Sequence, residues 1–194
     1  MEEEPLRRLV LLRHAKSAWP EGVPDHDRPL GRRGRRDAPA AGRWLRLAGW
    51  VPDRVLCSTA RRARETWRLA EPGLGARPAV AFEARIYEAT GEALLELIRQ
   101  LPAEARTVAV VGHAPGLPEL ALALAGGQAA GSGGASAAGS GAALDRLRSK
   151  FPTAAIAVLE FHGPWSGLAP GRAWLASFVT PREMDDGPGS AGDH

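Results

Sequence analysis

Arginine and histidine side chains follow short apolar runs at three places in this sequence. Arg13 and His14 come directly after the run at residues 9–12, while Arg61 and His113 follow two later runs. The planar guanidinium of arginine matches the oxygens of a phosphate group. Histidine can act as a nucleophile or carry a proton near neutral pH. These residue types therefore point to chemistry on a phosphate-like anion.

The apolar runs predict strands that bring these side chains to one edge of a sheet. Short runs rich in leucine and β-branched residues and bounded by charge are typical of buried strands. They alternate with helical patterns, which indicates βαβ units and a mostly parallel sheet. The sequence predicts helices at 38–48, 60–70, 90–101 and 116–125, and late strands at 154–161 and 173–179. Because ligands bind beyond the carboxyl ends of parallel strands, Arg13 and His14 lie where chemistry is expected.

Four sequence fragments, taken in order, match a known pattern. They are Arg13-His14-Ala15-Lys16-Ser17, Asp25-His26-Asp27-Arg28-Pro29-Leu30, Cys57 to Thr66, and Val108 to Gly116. In these motifs the chain resembles the histidine phosphatase superfamily, and within it the phosphohistidine phosphatase branch of the SixA type. The resemblance covers the chain from about Leu9 to Pro181. It implies a phosphoglycerate-mutase-like α/β fold, a three-layer α/β/α sandwich with a mostly parallel central sheet.

The resemblance also implies a role for the side chains at the strand ends. His14 is expected to attack phosphorus and to carry the phosphoryl group as a phosphohistidine intermediate. Arg13 and Arg61 are expected to bind the non-bridging phosphate oxygens. His113 is expected to complete the pocket as a further donor to those oxygens.

Four more side chains are candidates for the same site. Lys16 and Ser17 follow the expected nucleophile directly and could donate to the phosphate. Glu83 and Glu88 are both candidates for the general acid with which phosphomonoesterases of this superfamily protonate an alkoxide leaving group. The SixA-type branch resembles this chain in lacking the usual acid. The leaving group of a phosphohistidine substrate is imidazole, whose conjugate acid has a pKa of about 6.5, so it leaves far more readily than an alkoxide.

The expected function is removal of a phosphoryl group from phosphohistidine in a protein. Two alternatives stay open: a phosphomonoesterase acting on a small anionic phosphorylated metabolite, and a non-catalytic module that binds a phosphorylated ligand. The expected partner is accordingly a phosphorylated protein or a small phosphorylated substrate. No spacing such as His-Glu-x-x-His is present, so neither a metal nor a cofactor is expected.

Length and composition fit one domain in a reducing compartment. The 194 residues suit a single histidine phosphatase domain over residues 1–194. The single cysteine, Cys57, excludes an internal disulfide framework and a cysteine-based zinc site. The net charge of +3 is too slight to indicate nucleic-acid binding, and no apolar run approaches the length of a membrane span. The acidic N-terminus is unlike a secretory signal, so a cytoplasmic protein is expected.

Three segments are predicted to lie outside the regular elements. Residues 126–143 are glycine, alanine and serine apart from Gln128, which predicts a flexible surface loop. The residues after about 182 are polar and glycine-rich and are expected to be frayed. In the second motif, Asp27 and Arg28 are expected to form an ion pair beside the pocket, with Trp19 as part of the pocket wall.

Overall fold

A six-stranded mixed sheet forms the centre of the fold. The computed structural model describes residues 4–126 and 137–186. The strands are β1 (Leu6–Arg13), β2 (Arg54–Ser58), β3 (Ala79–Glu83), β4 (Thr107–Gly112), β5 (Ile156–His162) and β6 (Trp174–Val179). They are ordered β3-β2-β4-β1-β5-β6 across the sheet. The first four strands are parallel to one another, and β5 is antiparallel to both of its neighbours.

Helices cover both faces of this sheet. They are α1 (Arg32–Leu47), α2 (Arg61–Ala70), α3 (Gly91–Arg99), α4 (Gly116–Ala125), α5 (Ala137–Ser149) and α6 (Pro181–Asp185). One layer contains α1, α2 and α6, and the other contains α3, α4 and α5. The three-layer α/β/α architecture expected from the sequence is confirmed. None of the helices in the described part of the chain has the length and apolar character needed to span a bilayer.

The central strand β1 is buried on both sides, which explains its unbroken apolar sequence. Leu9 and Leu11 pack into the layer of α3 and α4, whereas Val10 and Leu12 pack into the layer of α1 and α2. Successive side chains of a strand point to opposite faces, so a strand between two helical layers needs apolar residues at every position. This packing fixes the end of β1, where Arg13 passes into the site.

Two glycines allow α1 to approach its neighbours closely. A Cβ on Gly42 would lie 1.8 Å from the carbonyl oxygen of Ala70, the last residue of α2. A Cβ on Gly34 would lie 2.2 Å from the carbonyl oxygen of Lys16. Both distances are too short for any side chain, so these positions require glycine. The first turn of α1 is thereby held against the loop that follows β1.

The prediction of a loop at 126–143 is wrong at the carboxyl end of that segment. α5 begins at Ala137, so residues 137–143 are helical; Gly126 is the C-cap of α4, and residues 127–136 lie outside the described residues. Ala143 packs against the core and Leu147 is buried, which anchors the helix. Alanine has the highest helix propensity, so an alanine-rich segment tethered by apolar residues forms a helix rather than a loop.

The chain stays helical from residue 182 to Asp185, where fraying was expected, and residues 187–194 of the predicted tail lie outside the described residues. α6 runs to Asp185, and the Met184 side chain is buried. Glu183 and Thr180 form a reciprocal capping box at the start of this helix. The capping box satisfies main-chain donors that would otherwise be free, which stabilises a helix of only five residues.

Candidate active site

His14 and His113 meet at the carboxyl ends of two adjacent parallel strands. His14 directly follows β1, and His113 directly follows β4. The main-chain N–H of His14 donates to the carbonyl oxygen of Gly112 at 3.0 Å, which continues the strand pairing into the site. The two ring centroids are 5.1 Å apart, and both side chains are buried. The sequence prediction that these two histidines share a site agrees with this geometry.

The arginine beside His14 is Arg62, and the expectation that Arg61 lies there is wrong. Nε of Arg62 donates to Nε2 of His14 at 3.3 Å, and the Arg62 side chain is buried. Arg61 is exposed, and its Nε bonds Glu65 at 2.8 Å. Residues four apart share one face of a helix, so Arg62 lies above Thr66 on the buried face of α2 while Arg61 lies above Glu65.

The helical period of α2 contains the signal that identifies the correct arginine. The buried residues of this helix recur three and four positions apart; they are Arg62, Ala63, Thr66, Trp67 and Ala70. This is the spacing of a single helix face. Arg62 belongs to this set and Arg61 does not, so the period of the apolar residues selects the residue that points toward the sheet.

The hydrogen bonds of His14 determine which ring nitrogen carries the proton and which has the free electron pair. A guanidinium group only donates, so Nε2 of His14 must be the acceptor of the bond from Arg62. The ring proton is therefore on Nδ1, which donates to the carbonyl oxygen of Ala15 at 2.8 Å. Burial lowers the pKa of His14 to about 3, and the charges of Arg62 and Arg13 act in the same direction. The ring is thus neutral near pH 7, with the electron pair of Nε2 directed at Arg62.

His113 is the second neutral imidazole of the site. Its Nε2 is 2.7 Å from Oγ of Ser58, the last residue of β2, and burial lowers the pKa of His113 to about 4. Oγ of Ser58 also accepts a hydrogen bond from the main-chain N–H of Ala60. Nδ1 of His113 is buried without a hydrogen-bond partner among the described residues. A buried polar atom of this kind is costly unless a ligand or water satisfies it.

Arg13 is positioned from the other side of the sheet. Its Nη1 donates to the carbonyl oxygen of Phe151 at 2.6 Å, and its Nε is buried without a partner among the described residues. Burial lowers the pKa of Arg13, although a guanidinium stays charged near pH 7. Because its contact is to a neutral carbonyl rather than to a carboxylate, the charge of Arg13 remains available to an anion.

Asp25 is a further residue of the site, which was not among the candidates predicted from the sequence. Its Oδ2 accepts hydrogen bonds from Nη2 of Arg62 at 3.0 Å and from the hydroxyl of Tyr87 at 2.8 Å. Its Oδ1 accepts from Nε of Arg28 at 2.9 Å, and its main-chain oxygen accepts from Nη1 of Arg62 at 2.6 Å. The hydrogen bond from Tyr87, together with the charges of Arg62 and Arg28, lowers the pKa of this carboxyl group. Asp25 is therefore ionised and fixes Arg62 beside His14.

The predicted pairing of Asp27 with Arg28 is wrong because this loop contains a turn of 3-10 helix. That turn covers Asp25–Asp27, and in a 3-10 helix residues three apart lie on one side. Arg28 consequently pairs with Asp25, while Asp27 contacts the ring of His26 at 3.3 Å. Asp25 and Arg28 are three positions apart in the sequence, which is the spacing that this turn brings together.

The ring of Tyr87 contacts the rings of His113 and His26. Tyr87, the single tyrosine of the chain, has its ring 5.6 Å from that of His113 and 4.9 Å from that of His26, edge-on in both cases. His26 is half-buried, with Nε2 at 3.0 Å from the hydroxyl of Thr59. Trp19, expected in the pocket wall, is 74% exposed and stacks on the guanidinium of Arg28.

The remaining candidates have no contact with His14 among the described hydrogen bonds. The Lys16 side chain is exposed, and Ser17 is buried where its main chain bridges to Leu30. Glu88 is exposed and has a left-handed φ of 58°. Roles for Lys16, Ser17 and Glu88 in phosphate binding or proton transfer therefore stay predictions.

Glu83, the other candidate acid, is held by a neighbouring arginine. Oε1 accepts from Nε and from the main-chain N–H of Arg85, both at 3.0 Å, and Oε2 accepts from Nη2 at 2.7 Å. The side-chain hydrogen bonds from Arg85 lower the pKa of this carboxyl group. Over the described ranges, no three His, Cys, Asp or Glu side chains are grouped as metal ligands would be.

Comparison with known proteins places this arrangement in a family. The model of the histidine phosphatase superfamily (branch 1) matches residues 9–92. A solved structure from Nakamurella multipartitia, provisionally named a phosphohistidine phosphatase SixA, is 36% identical with a TM-score of 0.76. The match covers 93% of this chain and 99% of that one. This chain belongs to the histidine phosphatase superfamily.

Other relatives of this histidine phosphatase extend over the same length. An uncharacterized protein of Mycobacterium tuberculosis (strain H37Rv) is 45% identical over 171 residues, which are 88% of this chain and 100% of that protein. A solved structure from Agrobacterium tumefaciens, again provisionally named a phosphohistidine phosphatase SixA, is 29% identical with a TM-score of 0.71. That match covers 91% of this chain and 99% of the other. The SixA-type resemblance noted in the sequence is confirmed.

Proposed function

We propose that this histidine phosphatase removes the phosphoryl group of phosphohistidine in a protein, through a phosphorylated His14. The observation that carries the proposal is the neutral His14 ring, whose Nε2 electron pair is directed at a buried arginine. Neutral imidazole is the nucleophilic form of the side chain. An electron pair facing a phosphate-binding guanidinium is in position to meet phosphorus.

In the first step the electron pair of His14 Nε2 forms a bond to phosphorus. The phosphorus–nitrogen bond of the substrate breaks, and its electron pair returns to the substrate imidazole. That ring carries a proton on its other nitrogen, so it leaves as neutral imidazole. The phosphorylated His14 keeps its own proton on Nδ1, which donates a hydrogen bond to the carbonyl oxygen of Ala15.

In the second step water attacks the phosphorus of phosphorylated His14. The phosphorus–Nε2 bond breaks, its electron pair returns to the ring, and a proton of the water passes to the released phosphate. Splitting one displacement into two in this way avoids a direct attack of water on the substrate. The neutral His14 is restored with its proton still on Nδ1.

Three side chains would bind the non-bridging oxygens during both steps. Nε of Arg62 would exchange its bond to His14 for one to a phosphoryl oxygen, and Arg13 would bring a second positive charge. The unpartnered Nδ1 of His113 would gain a partner in the same oxygens when it carries the ring proton. Donors already in place before the charge develops are the most effective stabilisers of a transition state.

The ionised state of Asp25 and Glu83 favours phosphohistidine over a phosphate ester as the substrate. Hydrogen bonds lower the pKa of both Asp25 and Glu83, so neither holds a proton near neutral pH. An alkoxide leaving group needs such a proton, whereas imidazole, with a conjugate-acid pKa of about 6.5, does not. The small-metabolite alternative would require a protonated carboxyl group next to the scissile bond.

The proposal extends to the organisation of the protein. One domain over residues 1–194 would hold the whole site, since every side chain named above lies in a single three-layer fold. The phosphate charge is assigned to Arg13, Arg62 and His113 rather than to a metal or cofactor. We place the protein in the cytoplasm, which suits a chain whose single thiol, Cys57, is buried and reduced.

Turnover of three substrates tests the proposal. A peptide with one chemically phosphorylated histidine is compared with a phosphoserine peptide of the same sequence and with an alkyl phosphate. We expect the phosphohistidine peptide to have the highest kcat/KM. A higher value for the esters would indicate a phosphomonoesterase, and binding without turnover of any substrate would indicate a binding module.

A further inference from the structure

Exposed arginines are concentrated on one helical layer. α1 and α2 carry nine of them, namely Arg32, Arg33, Arg35, Arg36, Arg43, Arg46, Arg61, Arg64 and Arg68. The acidic residues on these helices are Asp37 and Glu65, and each carboxylate is already shared between two arginines. α6, the third helix of this layer, adds Arg182, Glu183 and Asp185, so the layer still presents a large positive excess to the solvent.

The opposite layer lacks this excess. Its helices α3, α4 and α5 together carry Glu92, Glu96, Glu119 and Asp145 against Arg99, Arg146 and Arg148, and each of these arginines is paired with a carboxylate. Arginine supplies nearly all the basic residues of this chain, but a compositional preference alone would distribute them over both layers. The excess lies instead on the layer whose helix α2 begins beside His14. Such an asymmetry attracts an acidic partner toward the site.

A groove of about 550 Å³ opens in this layer between α2 and β3. Arg61, Arg64 and Arg68 line its helical side, and Val80 and Phe82 line its strand side. The Phe82 side chain is 59% exposed. In the sheet order β3 is an edge strand, with β2 as its one neighbour in the described part of the chain. The outer edge of such a strand can pair with an extended peptide.

We propose that this groove binds an acidic, extended segment of the phosphorylated protein substrate. The inference rests on the proposed function, since a protein substrate is what would bring such a segment to the enzyme. Arg61 lies at the start of the groove and precedes Arg62 of the active site, so a segment bound here places its neighbouring residues next to His14. A strand edge and the apolar surface of Val80 and Phe82 suit a peptide better than a nucleic acid.

Two glutamates, Glu65 and Glu71, also line the groove, and among the described residues neither forms a salt bridge with Arg64 or Arg68. Glu65 is occupied by Arg61, Arg35 and the main-chain N–H of Leu30. Arg64 and Arg68 have no salt bridge within the described residues, and both are exposed. These two arginines are the groove's main sites for carboxylates of a partner, and they are outside the catalytic site.

Two synthetic peptides test the proposal. Each contains one chemically phosphorylated histidine, and they differ only in a flanking run that is glutamate in one and glutamine in the other. At low salt we expect a KM about tenfold lower for the glutamate peptide, with the same kcat. The double variant Arg64→Glu/Arg68→Glu should remove this advantage, as should high salt.

A matched control keeps the change in net charge constant. Arg148→Glu/Arg172→Glu reverses two exposed arginines at the opposite edge of the sheet, near β6, and should keep the preference for the glutamate peptide. Equal KM values for the two peptides with the unaltered protein would overturn the proposal while leaving the proposed function intact.

A direct binding measurement tests the acidic docking groove independently of the proposed function. An unphosphorylated, fluorescent glutamate peptide should bind the unaltered protein and lose binding to Arg64→Glu/Arg68→Glu. If it does so while neither phosphorylated peptide is turned over, the proposed function fails and the acidic docking groove remains. Displacement of this peptide by double-stranded DNA at lower concentration than by unlabelled peptide would assign the face to nucleic acid and overturn the proposal.

Discussion

Nε of Arg62 donates to Nε2 of His14 across 3.3 Å, between two residues that are 48 positions apart in the chain. Because a guanidinium cannot accept a hydrogen bond, this contact directs the electron pair of Nε2 toward Arg62 and keeps the ring proton on Nδ1. Under the proposed function, a phosphoryl group that enters between the two side chains would take over the hydrogen bond from arginine as Nε2 reaches phosphorus. The same contact would then orient the proposed nucleophile and mark the position of the phosphoryl oxygens.

The first prediction compares the two neighbouring arginines of α2. Arg62→Ala should lower kcat on a phosphohistidine peptide by about 10²- to 10³-fold, the usual cost of removing one preorganised donor. Arg61→Ala should change it less than about threefold, since an exposed ion pair such as that with Glu65 contributes little. Steady-state kinetics of both variants decide the matter. The opposite ranking would restore Arg61 as the phosphate ligand.

The second prediction concerns the phosphorylated intermediate. Rapid quenching in base during turnover of a labelled phosphohistidine peptide should trap label on His14, because phosphohistidine is stable in base and labile in acid. His14→Ala should show neither label nor turnover, and its circular dichroism should match that of the unaltered protein. Stoichiometric label on any other residue would contradict the assignment of the nucleophile.

The third prediction concerns the carboxylate that holds Arg62. Asp25→Asn removes the charge that faces Arg62 and Arg28 and should lower kcat/KM by about tenfold, a cost typical of a charged hydrogen bond of about 1.4 kcal/mol. Asp27→Asn is the matched control, because Asp27 is exposed and contacts His26 instead. Kinetics on the phosphohistidine peptide compare the two. Equal effects would show that Asp25 does not position Arg62.

The fourth prediction concerns the candidate acids. Glu83→Gln and Glu88→Gln should leave turnover of a phosphohistidine peptide nearly unchanged, because imidazole leaves without a proton donor. If either glutamate were the general acid, its variant would lose about 10²- to 10⁴-fold in turnover rate, which is the usual contribution of general acid catalysis. The same variants are measured on an alkyl phosphate. A loss of that size on phosphohistidine would favour the phosphomonoesterase alternative.

The fifth prediction is a dependence of stability on pH. The pKa of His14 is lowered to about 3 and that of His113 to about 4, mainly by burial. Below pH 6.5 the unfolded chain binds protons at these residues that the folded chain does not, so stability should fall as the pH drops from 6.5 toward 4. At pH 5.5 each histidine should cost about 1.4 kcal/mol of the free energy of unfolding.

Urea unfolding at pH 7.5 and pH 5.5 measures this effect. His14→Gln should lose about 1.4 kcal/mol less than the unaltered protein between the two pH values, because glutamine does not titrate. His162→Gln is the control, since His162 is exposed at the end of β5. A pH dependence unchanged by His14→Gln would mean that His14 is not held neutral by burial.

Local sequence patterns were sufficient to predict the strands and helices that carry the site. Apolar runs with polar ends place His14 and His113 at strand ends, because strand periodicity and burial are local properties of the chain. The helix predicted at 116–125 is α4, and the helix predicted at 90–101 is α3, which Thr90 caps. The orientation of α2 also follows from the spacing of its buried residues, which selects Arg62 rather than the expected Arg61.

Which distant side chains come into contact depends on the tertiary structure and could not be predicted from the sequence. Asp25 and Tyr87 are 62 residues apart, and no local pattern predicts that the hydroxyl of Tyr87 donates to Asp25. Likewise, residues 137–143 have the composition of a linker but form part of α5, because Ala143 and Leu147 pack against the core. Contacts of this kind depend on how the layers pack, and packing is a property of the whole chain rather than of a segment.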